Sequence, residues 1–252
     1  VANKLLRYIF CNGEWIKQPA ADNLANGVLY VSNTSPEHGD FTVSFQNLLS
    51  PGTLYHVPVG NAAPRKLKQA PARFDASQLK VGQHWVKSKD GTKVPYFLVH
   101  SKSLKPNGTN PTLLYAYGGF EISMRPWYNA TVGTSWLARG GTYALANIRG
   151  GGEFGPAWHQ AALRTNRNKA YEDFIAVAQD LISKGITKPR HLGIKGGSNG
   201  GLLTGVAFTC RPDLFNAVVC QVPLLDMKRY TKLLAGHSWI AEYGDTGKTE
   251  IW

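Results

Sequence analysis

The sequence predicts an α/β fold: a mostly parallel β-sheet with helices on both faces, preceded by a segment of short strands. From about residue 76 onward, apolar strand-like runs alternate with helical stretches in the order strand, helix, strand, helix, strand. That alternation is the pattern of a parallel sheet covered by helices. Residues 1–75 hold only short β-branched and aromatic runs divided by turn residues. The 252 residues, 43% hydrophobic and 17% charged, suit one large domain or one domain plus part of another.

In the first segment the strand candidates are Gly27–Ser32, Phe41–Phe45 and Thr53–Val57, separated by Asn33–Asp40 and by Ser50-Pro51-Gly52. Propellers repeat four-stranded blades of roughly 40–45 residues, and this segment is shorter than two of them, so spacing leaves a propeller as one option. Beyond it, Gln83–Ser88 and Lys93–His100 flank Lys89-Asp90-Gly91-Thr92, where Asp-Gly marks a hairpin turn. The polar stretch Ser101–Pro111 leads into the apolar strand Thr112–Tyr117, and Thr142–Ile148 reads as a second buried strand. Ala170–Lys184 is an amphipathic helix, because Tyr171, Phe174, Ile175, Ala178, Leu181 and Ile182 recur at helical spacing and Gly185 stops it. His191–Lys195 is a strand, Asn199–Thr209 an apolar helix closed by Arg211-Pro212, and Asn216–Val222 a further strand.

Composition narrows the function classes. Lys and Arg outnumber Asp and Glu by 28 to 16, a net charge of +12. The basic residues are scattered, with no run interleaved with aromatics, so a solvated surface explains them better than a nucleic-acid or membrane partner. Cys11, Cys210 and Cys220 form no C-x-x-C pair, which removes a disulfide framework or zinc site as the organising principle. No apolar run is long enough to span a membrane. The start, Val1-Ala2-Asn3-Lys4, has neither an initiating Met nor a signal-peptide core, and is expected to be cut from something longer. The sequons beginning at Asn33, Asn107 and Asn129 bear meaning only in a eukaryotic secreted protein. Compartment stays open between cytoplasm and periplasm.

The chemistry centres on Gly196-x-Ser198-x-Gly200, which lies between a predicted strand and a predicted helix. This is the context of a nucleophile elbow, where a sharp turn exposes the serine hydroxyl and the flanking glycines avoid clashes. The helix N-terminus adds partial positive charge and free N–H groups, with Asn199 N–H as the expected first oxyanion donor. A second glycine pattern, Gly150-x-Gly152-x-x-Gly155, matches the dinucleotide fingerprint. It fails the context test, because Glu172 and Asp173, at the right distance, sit within the amphipathic helix and not at a strand end. No cofactor and no metal is expected.

Several motifs in fixed order now point to one family. They are Tyr117-Gly118-Gly119-Phe120, Ala146–Gly155, Trp158-His159, Gly196–Leu203 and Arg211–Phe215, and together they make the stretch from about Phe41 to Tyr243 resemble prolyl oligopeptidases. The resemblance implies a serine peptidase with an α/β-hydrolase domain and a β-propeller that filters substrates by size. Residues 1–75 would be the end of the propeller and 76–252 an α/β-hydrolase domain lacking its C-terminal strands. By the same resemblance Ser198 is the nucleophile, and the Tyr117 hydroxyl joins Asn199 N–H at the oxyanion. Trp239 is similar to the tryptophan that stacks on the substrate's proline ring, with Phe120, Leu224 and Tyr243 as further walls. An apolar aromatic slot suits proline, although Phe120 and Leu224 fit ordinary core packing equally well. Arg149 is expected to anchor its glycine-rich loop.

In the α/β-hydrolase order the catalytic acid and histidine follow the serine. After Ser198 the chain offers Asp213, Asp226, Glu242, Asp245, Glu250 and one histidine, His237. His237 falls in the segment that lines the pocket in the family, so the acid and base are expected beyond Trp252, and the chain alone is expected to be inactive. The implied substrates are short proline-containing peptides, and the full-length protein is expected to be a monomer. Other α/β-hydrolases, such as an esterase or an oligopeptidase for basic residues, and a non-catalytic binding module stay open as alternatives.

Overall fold

The structure, a computed structural model, describes residues 5–18, 24–34, 37–60 and 63–249. Val1-Ala2-Asn3-Lys4, Glu250 and Trp252, named above, lie outside them. Two compact units divide the chain, one holding residues up to Val81 together with Arg125–Arg139, the other Gly82–Met124 and Gly140 onward.

In the first unit β1 (Tyr8–Cys11) and β2 (Glu14–Lys17) pair antiparallel. The turn between them is Asn12-Gly13, both at positive φ (51° and 87°), as a tight hairpin turn requires. The strands β3 (Gly27–Thr34), β4 (Phe41–Asn47), β5 (Thr53–Val57) and β6 (Arg65–Gln69) follow as a four-stranded antiparallel meander. Leu24, Val43, Phe45 and Val57 form its buried core. Arg125–Arg139 carries the short helix α1 (Ala130–Ser135), capped by the Asn129 side chain on Val132 N–H (3.0 Å). Trp127 stacks on Tyr30 and Tyr128 on Phe74, so aromatic contacts draw this excursion onto the meander.

In the second unit, which takes β7 from Gly82 on, six strands lie in one sheet: β7 (Leu79–Lys87), β8 (Lys93–Ser101), β9 (Thr112–Tyr115), β10 (Thr142–Ala146), β11 (Leu192–Gly197) and β12 (Ala217–Gln221). Their spatial order is β12-β11-β9-β10-β8-β7. The run from β12 to β10 is parallel throughout, and β8 joins β10 antiparallel. After the five-residue α2 (Pro156–Gln160) come the two long helices, α3 (Asn168–Ser183) and α4 (Asn199–Cys210). Tyr96, Leu98, Leu114, Ala144 and Ile194 from the sheet meet Phe174, Val177 and Leu181 of α3 and Leu203 of α4 in one core. Alternate strand residues share that face, as the pleat requires. Each fully buried Phe or Leu contributes about 1.5–3 kcal/mol relative to exposure. No helix among the described residues is long and apolar enough to cross a membrane.

Arg149, 3% exposed, fixes the loop after β10. Its guanidinium donates to both Asp173 oxygens (2.6 and 2.9 Å), to Asp90 (3.2 Å) and to Thr92 Oγ1 (3.2 Å). One side chain thus ties α3, the β7–β8 hairpin and the glycine-rich loop together. The Arg149 guanidinium also holds the Asp90 carboxyl well below the usual carboxylate range. Within the loop, Gly150 approaches Gly118 so closely that an added Cβ would lie 2.4 Å from the Gly118 carbonyl, and Gly152 faces the Glu121 carbonyl at 2.2 Å. The glycines serve contact between two segments of this chain, not a pyrophosphate cradle. Glu153 packs here too, accepting from Met124 N–H (2.7 Å), and burial lifts its carboxyl above the ordinary value.

Two outcomes are expected in the full-length protein. Arg149→Ala leaves the Asp173 carboxylate buried without its counter-ion and lowers unfolding free energy by roughly 3–5 kcal/mol. Chemical unfolding checks this, and a loss below about 1 kcal/mol would show the pair to be solvated. For Glu153, the raised folded value means that native stability is fullest below the unfolded pKa and declines as pH rises through the folded one. Glu153→Gln does not titrate, so its melting temperature gains on the parent as pH rises from the unfolded carboxylate value through the raised folded one, and a pH-independent difference would refute the assignment.

Candidate active site

The turn from β11 into α4 puts Ser198 at φ 57° and ψ −120°. Such a conformation in a non-glycine residue costs about 1–3 kcal/mol and persists only where the surroundings impose it. They do so here through absent side chains. A Cβ on Gly196 would lie 1.9 Å from the Gly200 carbonyl, one on Gly200 2.9 Å from the Ala116 carbonyl, and one on Gly201 2.7 Å from the Gln221 carbonyl. Strand β9, helix α4 and strand β12 therefore crowd the turn from three sides. Ser198 N–H donates to Gln221 O (3.0 Å), and Ser198 O accepts from Gly201 and Leu202 N–H (2.9 and 3.1 Å). Asn199 is the first residue of α4, so its N–H has no acceptor inside the helix and stands beside the serine.

Tyr117 follows the end of β9 and is half-buried. Asn199 Nδ2 donates to its carbonyl at 2.6 Å, while Asn199 Oδ1 accepts from Tyr243 Oη (2.8 Å) and Arg167 Nη2 (2.5 Å). Burial pushes the Tyr243 phenol far above its ordinary value, so it stays a neutral donor. Arg167 also donates to Glu242 Oε1 (2.8 Å), which accepts Phe120 N–H (2.9 Å), and His159 Nε2 meets Glu242 Oε2 at 2.7 Å. The sequence points to Asn199 for its backbone alone, to Glu242 only as a candidate acid and to His159 only within the Trp158-His159 motif, and it gives no signal for Arg167.

Ser198, Leu224 and Trp239 line one cavity of 310 Å³, with Pro223, Leu225 and Tyr230. Phe120 and Tyr243 are not among its walls. They pack edge to face (5.6 Å, 81°), and Tyr243 meets Tyr230 likewise (5.6 Å, 82°), in a cluster with Leu202 that also receives Leu224 and Trp239. They pack behind Leu224 and Trp239, and the Tyr243 hydroxyl turns inward to Asn199. Asp226 lines the cavity as well, but its carboxylate accepts from Arg229 Nε (2.6 Å), which holds it below the usual range. Cavities of 420 Å³ over β3–β6 and of 480 Å³ beside Lys87, Glu172 and Cys210 have no non-glycine residue at positive φ in their linings.

Among the described residues, the acids after the serine are otherwise engaged. Asp213 pairs with Arg211 (2.7 Å), Asp226 with Arg229, Glu242 with Arg167 and His159, and Asp245 accepts from Gly247 N–H (2.9 Å). His237 is exposed, and among the described residues no hydrogen bond joins it to Asp226 or to Ser198.

Comparison with known proteins places this geometry. The model of the prolyl oligopeptidase family of peptidases matches residues 128–251. An uncharacterized peptidase of Sinorhizobium fredii is 57% identical over 219 residues, covering 87% of this chain and 30% of its own. A prolyl endopeptidase of Elizabethkingia meningoseptica is 41% identical over 208 residues, covering 81% and 29%. Among solved structures, a post-proline cleaving enzyme from Rickettsia typhi superposes with a TM-score of 0.80 at 43% identity, covering 96% of this chain and 35% of that one. Prolyl oligopeptidase B from Galerina marginata gives 0.86 at 29%, covering 97% and 35%. The chain spans about a third of the length of the curated relatives it matches. Its fold class is that of these structures, α/β-hydrolase elements preceded by propeller strands. With the elbow at Ser198 and these relatives, the chain belongs to the prolyl oligopeptidase family.

Proposed function

We propose that the protein carrying this chain is a serine peptidase that hydrolyses short peptides on the carboxyl side of proline. One observation carries the reading: the strained nucleophile Ser198 and the indole of Trp239 line the same apolar cavity. The names of relatives, prolyl endopeptidase and post-proline cleaving enzyme, support it.

In this reading the proline ring enters the slot against Trp239 and Leu224, which sets its carbonyl carbon before Ser198 Oγ. Attack forms the Oγ–C bond and moves the carbonyl electron pair onto oxygen. Asn199 N–H and the Tyr117 hydroxyl donate to that oxyanion, and the positive end of α4 adds to them. The Oγ proton passes to a histidine and then to the leaving amine as the C–N bond breaks, leaving an acyl-enzyme ester that water hydrolyses. Neither that histidine nor its acid partner is assigned among the described residues. Peptides are the whole of the partner assignment, for a monomer without nucleic acid or membrane.

Asp226 is the one observation that favours a slot for basic residues. Its pairing with Arg229 already neutralises it, so a cationic side chain would have to displace a charge-assisted hydrogen bond. Serine-directed fluorophosphonate labelling of the full-length protein, lost in Ser198→Ala, together with hydrolysis of a proline reporter in preference to a lysine one, is the expected result. Labelling with a lysine preference would transfer the assignment to the basic-residue oligopeptidases, and no labelling would favour a binding module. Two further variants separate binding from chemistry. Tyr117→Phe removes one oxyanion donor and lowers kcat by roughly 100- to 1000-fold. Trp239→Ala removes contact with the ring and lowers kcat/KM for proline reporters by about 10- to 200-fold, with little effect on an alanine reporter. Equal losses on the two reporters would contradict the slot.

A further inference from the structure

We propose that Glu242 is a positioning residue that holds the oxyanion loop from the segment bearing the slot tryptophan. The inference rests on the peptidase reading above and adds a residue to it. Helix α5 (Ile240–Tyr243) directly follows Trp239, and its Glu242 is 4% exposed. The carboxylate grips the loop at two places. Oε1 accepts Phe120 N–H directly, and through Arg167 and then Asn199 it reaches the Tyr117 carbonyl. Both ends of the Tyr117–Phe120 loop are thus tied to one buried anion.

The loop needs such a restraint. Gly118, Phe120 and Glu121 stand at φ of 66°, 56° and 57°, and the last two are not glycine. Residues in that region relax unless their surroundings over-determine them. Gly119 lets the loop press onto the pair behind it, because an added Cβ would lie 2.6 Å from Asn199 Nδ2 and 2.9 Å from Arg167 Nη2. Stability alone does not explain the arrangement. A buried ion pair replaced by apolar residues of similar size is often neutral or better for stability. Glu242 instead accepts donors from three separate places, Phe120, Arg167 and His159, and so fixes their geometry with the oxygens of a single group. An oxyanion donor displaced by about 1 Å can lose on the order of a hundredfold in rate.

The test uses the full-length protein and variants Glu242→Gln and His159→Ala. Gln keeps the size of the side chain but replaces one acceptor oxygen by a donor and removes the charge facing Arg167. For a short proline reporter, kcat is expected to fall roughly 10- to 100-fold, with KM changing less than about threefold. A proline-containing peptide aldehyde, whose hemiacetal oxygen occupies the oxyanion position, is expected to lose affinity by the same factor as kcat, while a product peptide keeps its affinity. His159→Ala frees Oε2 from outside the core and is expected to give the same signature at smaller size, which keeps the test decisive should Glu242→Gln not fold. Full kcat in either folded variant, or parallel loss of aldehyde and product binding, would overturn the proposal. Absence of Ser198-dependent cleavage in the parent would instead overturn the peptidase reading.

Discussion

Everything at the site depends on a place where no side chain fits. Between β11 and α4 the backbone must reverse within one residue, and the reversal brings Gly196 against Gly200 and Gly201 against the strand β12. A single methyl group at Gly196 would lie 1.9 Å from a carbonyl oxygen, far inside van der Waals contact. The closeness of packing forces Ser198 into positive φ, and positive φ is what lifts its hydroxyl clear of both elements. The sheet order follows the same demand. β9 and β12 flank β11, so the carbonyls of Ala116 and Gln221 stand on either side of the turn.

Around that turn the polar groups are arranged so that none moves alone. Asn199 presents its N–H toward the serine and uses its side chain, fully buried, to hold Tyr117 O, Tyr243 Oη and Arg167. An amide with both ends engaged has no free rotamer, which makes the direction of the neighbouring N–H a property of the whole network. Tyr243 links this network to the aromatic cluster under the slot through two edge-to-face contacts. Apolar packing and charge-assisted hydrogen bonds therefore define one object and not two.

Much of this was legible in the residues, and the reasons for the rest are physical. Thr53–Val57 falls where its β-branched and aromatic residues put it, and α4 starts at Asn199 because the elbow glycines lead into an apolar run that is buried on nearly every side. Ser198 was legible because the elbow demands glycines at fixed offsets. By contrast β6 reads Arg-Lys-Leu-Lys-Gln and is exposed along its whole length, so no alternation marks it. The β1–β2 hairpin carried a usable signal, Asn12-Gly13, that the strand reading passed over. The Arg125–Arg139 excursion joins the meander through single aromatic pairs such as Tyr128 on Phe74, which leave no periodic trace. Glu242 and Phe120 are 122 positions apart, and Glu242 and His159 83, so only the fold could bring them together.

The strain and the network explain each other. A backbone held at positive φ in Ser198, Phe120 and Glu121 stores energy that a loose surrounding would release by letting the chain turn back. The buried carboxylate of Glu242 acts against that release, since moving Phe120 N–H away would strip one acceptor contact from a charge with little water around it. The penalty for an unmet buried charge exceeds the strain in one loop residue, so the strained state is the lower one. In the proposed reaction, a site built in this way need not reorganise when negative charge develops on the substrate oxygen, and that economy of motion is where electrostatic catalysis gains its advantage over water.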